Sequence, residues 1–142
     1  MDVLEHTDDI YYSFAELCRV ARNHVLLALP NLYEITIRKR IFFGQRIPGK
    51  YGLPVNPQMD RHRWMFSFRE AETFTHAMAT KCGFEVVGEV CLIGPRRSAI
   101  GVRHLVNVSL NLLSPWYIAL LQRKRVNSLN RSHSRDQEAM SI

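Results

Sequence analysis

Two stretches of the chain repeat apolar residues at intervals of three and four, and others run apolar without a break. Ile10, Phe14, Leu17, Cys18 and Ala21 fall on one face of a helix predicted over residues 9–22. Thr7, Asp8 and Asp9 offer its N-cap and acidic first turn, Arg19 and Arg22 suit its C-terminal dipole, and Asn23 serves as its stop. Val25, Leu26, Leu27, Ala28 and Leu29 form a continuous apolar run closed by Pro30 and Asn31, the pattern of a central strand covered on both faces. Residues 32–43 allow an amphipathic helix with Arg38, Lys39 and Arg40 on its polar side. Gly44, Pro48, Gly49, Gly52, Pro54 and Pro57 then punctuate a loop, so that 32–60 reads as an inserted cap or lid. Ser67 and Glu70 have the spacing of a capping box for a helix to residue 81, with Ala71, Phe74, Ala77 and Met78 on its apolar side and Gly83 ending it. A strand over 84–93, a helix over 96–113 weakened by Gly101, and a strand over 116–124 complete the series. Strands alternating with helices predict an α/β sheet with parallel strands.

Composition narrows the class. The chain has 142 residues, 46% of them hydrophobic, which suits one globular domain and excludes a disordered chain. Its three cysteines, Cys18, Cys82 and Cys91, show no C-x-x-C spacing, so they read as buried or idle thiols of a reducing compartment. Lys and Arg number 19 against 13 acidic residues, a net charge of +6. Half of that excess falls after residue 121, where Arg123, Lys124, Arg125, Arg131 and Arg135 face Asp136 and Glu138. The segment 126–142 reads as a solvated, mobile tail, and without interleaved aromatics it is not expected to bind nucleic acid. The start has neither a basic n-region nor an apolar h-region, and the apolar stretch over 105–121 is broken by Asn107, Ser109, Asn111, Ser114 and Pro115. A cytoplasmic protein without a transmembrane segment is expected.

Four pieces of the chain then carry a resemblance. Asp2, Val3, Leu4, Glu5 and His6 look like a strand end. Phe14-Ala15-Glu16-Leu17-Cys18-Arg19-Val20 looks like the pattern L-x-E-x-x-R-V-L, residues 25–31 like a strand with a terminal Pro-Asn, and residues 61–74 with Gly83-Phe84-Glu85-Val86 like a helix leading into a strand. In this order they resemble the C-terminal half of a class I S-adenosylmethionine-dependent methyltransferase of the type 11 and ubiquinone-biosynthesis-like group. The resemblance implies a partial Rossmann-like fold, strands 4, 5, 7 and 6 of a sheet ordered 3-2-1-4-5-7-6, over residues 1–125. It implies methyl transfer to an oxygen, less readily a nitrogen, of a small-molecule or glycan-type acceptor. The G-x-G-x-G turn with which such enzymes approach the cofactor is absent from the sequence. The expectation is therefore a fragment that needs an N-terminal half, is inactive alone, exposes an apolar sheet edge and is poorly soluble or partly molten. A function of another class, a non-catalytic binding or scaffold module using the basic surface, is the alternative.

The same resemblance singles out site residues. Asp2, Glu5 and His6 form D-x-x-E-H where related enzymes carry E-x-x-E-H, and His62 stands where some of them place a further ligand. Asp2, Glu5, His6 and His62 would then hold Mg²⁺ or Mn²⁺, hard oxygens with imidazole being reasonable for either. Asp2, at the edge of the fourth strand, is also the one residue placed near the methyl donor. Two other readings stay open: Glu5 and His6 line an acceptor pocket without metal, His6 acting as general base, or they hydrogen-bond locally at a strand end. Asn31, at the strand's C-terminal edge, and Arg61, His62 and Trp64 are candidate acceptor contacts. Trp64, Phe66 and Phe68 alternate, which favours packing of the insertion onto the sheet over an acceptor wall.

Overall fold

The computed structural model describes residues 3–47, 51, 55–56, 61–91 and 110–124. After a 3₁₀ turn at Leu4–His6, the first helix, α1, spans Ile10–Val20, with the Asp9 carboxylate accepting the Tyr12 N–H at 2.9 Å. Strand β1 follows at His24–Pro30, and helix α2 at Ile35–Phe42. Helix α3, Phe68–Lys81, starts on the capping box read from the sequence: Ser67 Oγ accepts the Glu70 N–H at 3.2 Å, and Glu70 Oε2 accepts the Ser67 N–H at 2.7 Å. Gly83, at φ +74°, turns the chain from α3 into β2 through backbone space that other residues enter only with strain. Strand β2 is Phe84–Cys91, a one-turn helix α4 is Leu110–Leu113, and strand β3 is Trp116–Arg123.

The three strands form one sheet in the order β1-β3-β2, and both pairings are antiparallel. The protein is thus mixed α/β, with a small antiparallel sheet where strand–helix alternation predicts parallel neighbours. The reason is topological. β1 and β2 do run in the same direction, but β3 inserts between them from the opposite direction, a pairing that no local pattern announces. The residues expected to end a fourth strand do not form one. The His6 N–H reaches Val3 O at 3.0 Å and the Thr7 N–H reaches Leu4 O at 3.2 Å, closing the 3₁₀ turn instead of a ladder.

The core lies on one face of the sheet. Val25, Leu27 and Leu29 of β1 stand in register with Leu121, Ala119 and Tyr117 of β3, and these side chains are buried with Phe84 of β2. Ile10, Phe14 and Cys18 of α1 and Phe68, Ala71, Met78 and Ala79 of α3 cover them. Burying each large side chain of this set is worth about 1.5–3 kcal/mol. On the opposite face Leu26 remains 60% exposed, Val90 55% and Leu120 38%. β1 is therefore covered on one face among the described residues, although its unbroken apolar run predicts cover on both. The face of α3 is also turned slightly from its predicted position: Thr75 and Ala79 are buried while Ala77 is exposed.

Arg123 does not belong with a basic tail. It ends β3, and its guanidinium donates to the carbonyls of Cys18 at 2.8 Å, Ala21 at 2.6 Å and Arg22 at 3.0 Å, closing the C-terminal end of α1. The same group lies 4.6 Å from the centroid of the Phe84 ring. The hydrogen bonds from Arg123 take up carbonyls left open where α1 stops at Val20 with Ala21 as its cap, two residues short of the predicted end at Arg22. The predicted tail at 126–142 lies outside the described residues, as do residues 96–109 of the helix predicted over 96–113, whose last four residues form α4. No helix among the described residues is long and apolar enough to cross a membrane.

Candidate functional site

The 3₁₀ turn and the segment entering α3 are stitched together side by side. The Glu5 carbonyl accepts the N–H groups of Arg63 at 2.8 Å and Trp64 at 3.3 Å. Trp64 Nε1 donates to the Thr7 carbonyl at 2.8 Å, and the Arg63 guanidinium meets the Asp8 carboxylate. The turn itself is held by Thr7, whose hydroxyl donates to the Leu4 carbonyl at 2.8 Å, and by Leu4, which is buried in the core. These links carry His62 to the turn across more than fifty residues of sequence.

There three side chains converge. Glu5 is fully buried, His6 and His62 are half-buried, and one ligand atom from each lies within 4.8 Å of the others. His6 Nε2 is 3.9 Å from Glu5 Oε1, and the rings of His6 and His62 meet edge to face with centroids 4.4 Å apart. A third ring closes the cluster: Tyr51 packs on His62 at 4.5 Å, and its hydroxyl is hydrogen-bonded to His62 Nδ1. A carboxylate this buried is costly unless positive charge compensates it. Two imidazoles beside it supply either a protonated ring or two neutral ligands for a cation. Ligands on one cation, at bonds of about 2.1 Å, lie at most about 4.2 Å apart, so small side-chain rotations bring the set to bonding distance.

The other predicted positions separate from this cluster. Asp2 lies outside the described residues. Asn31 is buried, and its amide is spent on the fold: Nδ2 donates to Asn111 O at 2.8 Å and Ser114 O at 2.7 Å, while Oδ1 accepts the Tyr33 N–H at 2.9 Å. Arg61 is exposed, in the same irregular segment before α3 as His62. Trp64 packs edge to face on Tyr11 at 6.3 Å, and Phe68 on Tyr117 at 5.3 Å; Trp64 and Phe66 lie against the core, so the alternating aromatics serve packing. The sequence reading missed Tyr51. It sits in the punctuated loop with no neighbouring motif, and only its contact with His62 marks it.

Two further groups are electrostatically distinct but belong to the core. Burial pushes the Cys18 thiol up to about 12, with the nearby Cys82 adding to the effect. Burial, and donation to Glu89 Oε1 at 2.5 Å, raise the Tyr117 hydroxyl well above its ordinary range. The same Glu89 oxygen is 3.0 Å from His76 Nε2, so the three side chains tie β3, β2 and α3 together. Compared with known proteins, the chain matches no family model and no curated protein.

Proposed function

We propose that this chain is the acceptor-binding half of an S-adenosylmethionine-dependent methyltransferase acting on an oxygen, with Glu5, His6 and His62 as its cation ligands. The convergence of these three side chains from segments far apart in sequence carries the reading. The strand order β1-β3-β2 supports it, being the order 5-7-6 that the resemblance implies. A carboxylate with two imidazoles fits Mn²⁺ better than Mg²⁺, which prefers an all-oxygen shell. When bound, the cation would polarise an acceptor hydroxyl and hold it in place. Glu5 supplies charge and His6 and His62 supply neutral nitrogen, with His62 Nδ1–H donating to the Tyr51 hydroxyl so that Nε2 is the nitrogen that ligates. Nothing in these residues fits the methyl donor itself, since no G-x-G-x-G turn is present, and no step is derived through it.

The test is Mn²⁺ titration of the full chain, followed by loss of the free-ion electron paramagnetic signal. Uptake of one ion per chain is expected, weakened at least about tenfold in His62→Ala. Addition of a catechol should then lower the water-proton relaxivity of the Mn²⁺-loaded chain as diol oxygens displace bound water. Absence of uptake, or equal uptake by the variant, rejects the cation site. Uptake without any response to the diol leaves a binding module rather than an acceptor site.

A further inference from the structure

Helix α2 closes on an ordered tip. The Gln45 N–H reaches Arg40 O at 2.8 Å and the Gly44 N–H reaches Ile41 O at 3.0 Å, while Gly44 takes φ +62° to turn the chain back. This turn presents Ile41, Phe42 and Phe43 together, and the two phenyl rings pack edge to face with centroids 5.2 Å apart. No residue of α2 is buried, and at its end Phe42 is 83% exposed, Phe43 69% and Ile41 56%. Three consecutive large apolar side chains held in water are unfavourable unless something covers them.

The charge around the tip has one sign. Arg38 and Lys39 of α2 and Arg46 beyond the turn are exposed, and Arg40 is half-buried. Arg38 lies 5.8 Å from the centroid of the exposed Tyr33 ring and donates to Tyr33 O at 2.6 Å, which anchors its charge beside a further aromatic. From residue 35 to residue 59 the sequence holds five cations, Arg38, Lys39, Arg40, Arg46 and Lys50, and no acid. The acid that precedes them, Glu34, is buried.

We propose that the tip of α2 is a docking surface for a bilayer of anionic lipid. Ile41, Phe42 and Phe43 enter the acyl boundary, and Lys39, Arg40 and Arg46 meet lipid phosphates at the level of the headgroups. Two observations together choose this occupant. An acid-free cationic surround calls for a partner of negative charge, and an aliphatic side chain beside two phenyl rings calls for hydrocarbon next to that charge. A nucleic acid supplies the charge but gives Ile41 no hydrocarbon to enter. Its bases stack on ring faces, and in an edge-to-face pair one of those faces is already taken. The docking needs neither the cation cluster nor a methyl donor.

Co-sedimentation of the full chain with lipid vesicles tests this. Binding to phosphatidylcholine vesicles that contain phosphatidylglycerol is expected, with much weaker binding to phosphatidylcholine alone and release as salt is raised. Phe42→Ser combined with Phe43→Ser should weaken binding at least about tenfold with an unchanged far-ultraviolet spectrum. If that variant fails to fold, Lys39→Gln combined with Arg46→Gln takes its place, and should lose at least about tenfold on the anionic vesicles. Val90→Thr, which removes exposed apolar surface from the sheet instead, should bind as the wild type does. Absence of binding, equal binding to both kinds of vesicle, wild-type binding by a folded tip variant, or an equal loss in Val90→Thr overturns the proposal. So does tighter binding of single-stranded RNA than of anionic vesicles through the same residues.

Discussion

Cys18 shows how a single residue takes its chemistry from its surroundings. In the sequence it is one member of an apolar stripe. In the fold it is buried between α1 and the sheet, and its thiol rises from 9.0 to about 12. The unfolded chain therefore ionises this thiol near pH 9 while the folded protein keeps it neutral. A raised acid of this kind contributes stability below the unfolded value and loses it as pH climbs from about 9 toward 12. Urea melts of wild type and Cys18→Ala should differ most near pH 8, and the difference should shrink by pH 10.5. A constant difference would show that packing alone sets the cost. Asn31 makes the same point for a polar group: its place after a strand suggests a ligand contact, whereas its amide is spent on the carbonyls of Asn111 and Ser114.

Elements were legible where their signals are local. The capping box of α3 and the glycine turn after α3 involve residues within four positions of one another, and each forms as read, while the N-cap of α1 falls on Asp9, the first residue of the predicted helix. The closure of α1 was not legible, because its cap comes from Arg123, about a hundred residues away. Arg123→Gln keeps some donors but loses the cation at the helix end. It should cost about 1–2 kcal/mol in chemical denaturation, with the loss appearing first as faster amide exchange in the last turn of α1. An unchanged stability would mean that the hydrogen bonds from Arg123 are incidental. The direction of the strands failed for the same reason: β3 is recognisable as a strand, but its place between β1 and β2 depends on contacts across most of the chain.

On the scale of the whole molecule, helices α1 and α3 cover one face of the sheet, and the other presents Leu26, Val90 and Leu120 partly to solvent. Apolar patches of this kind bind dyes that respond to hydrophobic surface. Anilinonaphthalene sulfonate should fluoresce with the native protein, and Val90→Thr combined with Leu120→Lys should lower that signal while the far-ultraviolet spectrum shows the fold retained. A signal that persists in the double variant would point to a loosely packed core instead. The candidate cation site also belongs to this scale. Glu5 and His6 are adjacent in sequence, but His62 joins them only because the turn and the segment before α3 share backbone hydrogen bonds.

The sequence by itself determined the helices and the strands among the described residues, since helix and strand periods and capping chemistry act over a few residues. Tertiary structure alone decided the antiparallel order of the sheet, which face of β1 is covered, the cap of α1 by Arg123 and the entry of Tyr51 beside His62. Each of these joins groups that are distant in the chain. The free energy of bringing such groups together is set by the closure of the whole fold, and no window of sequence contains it.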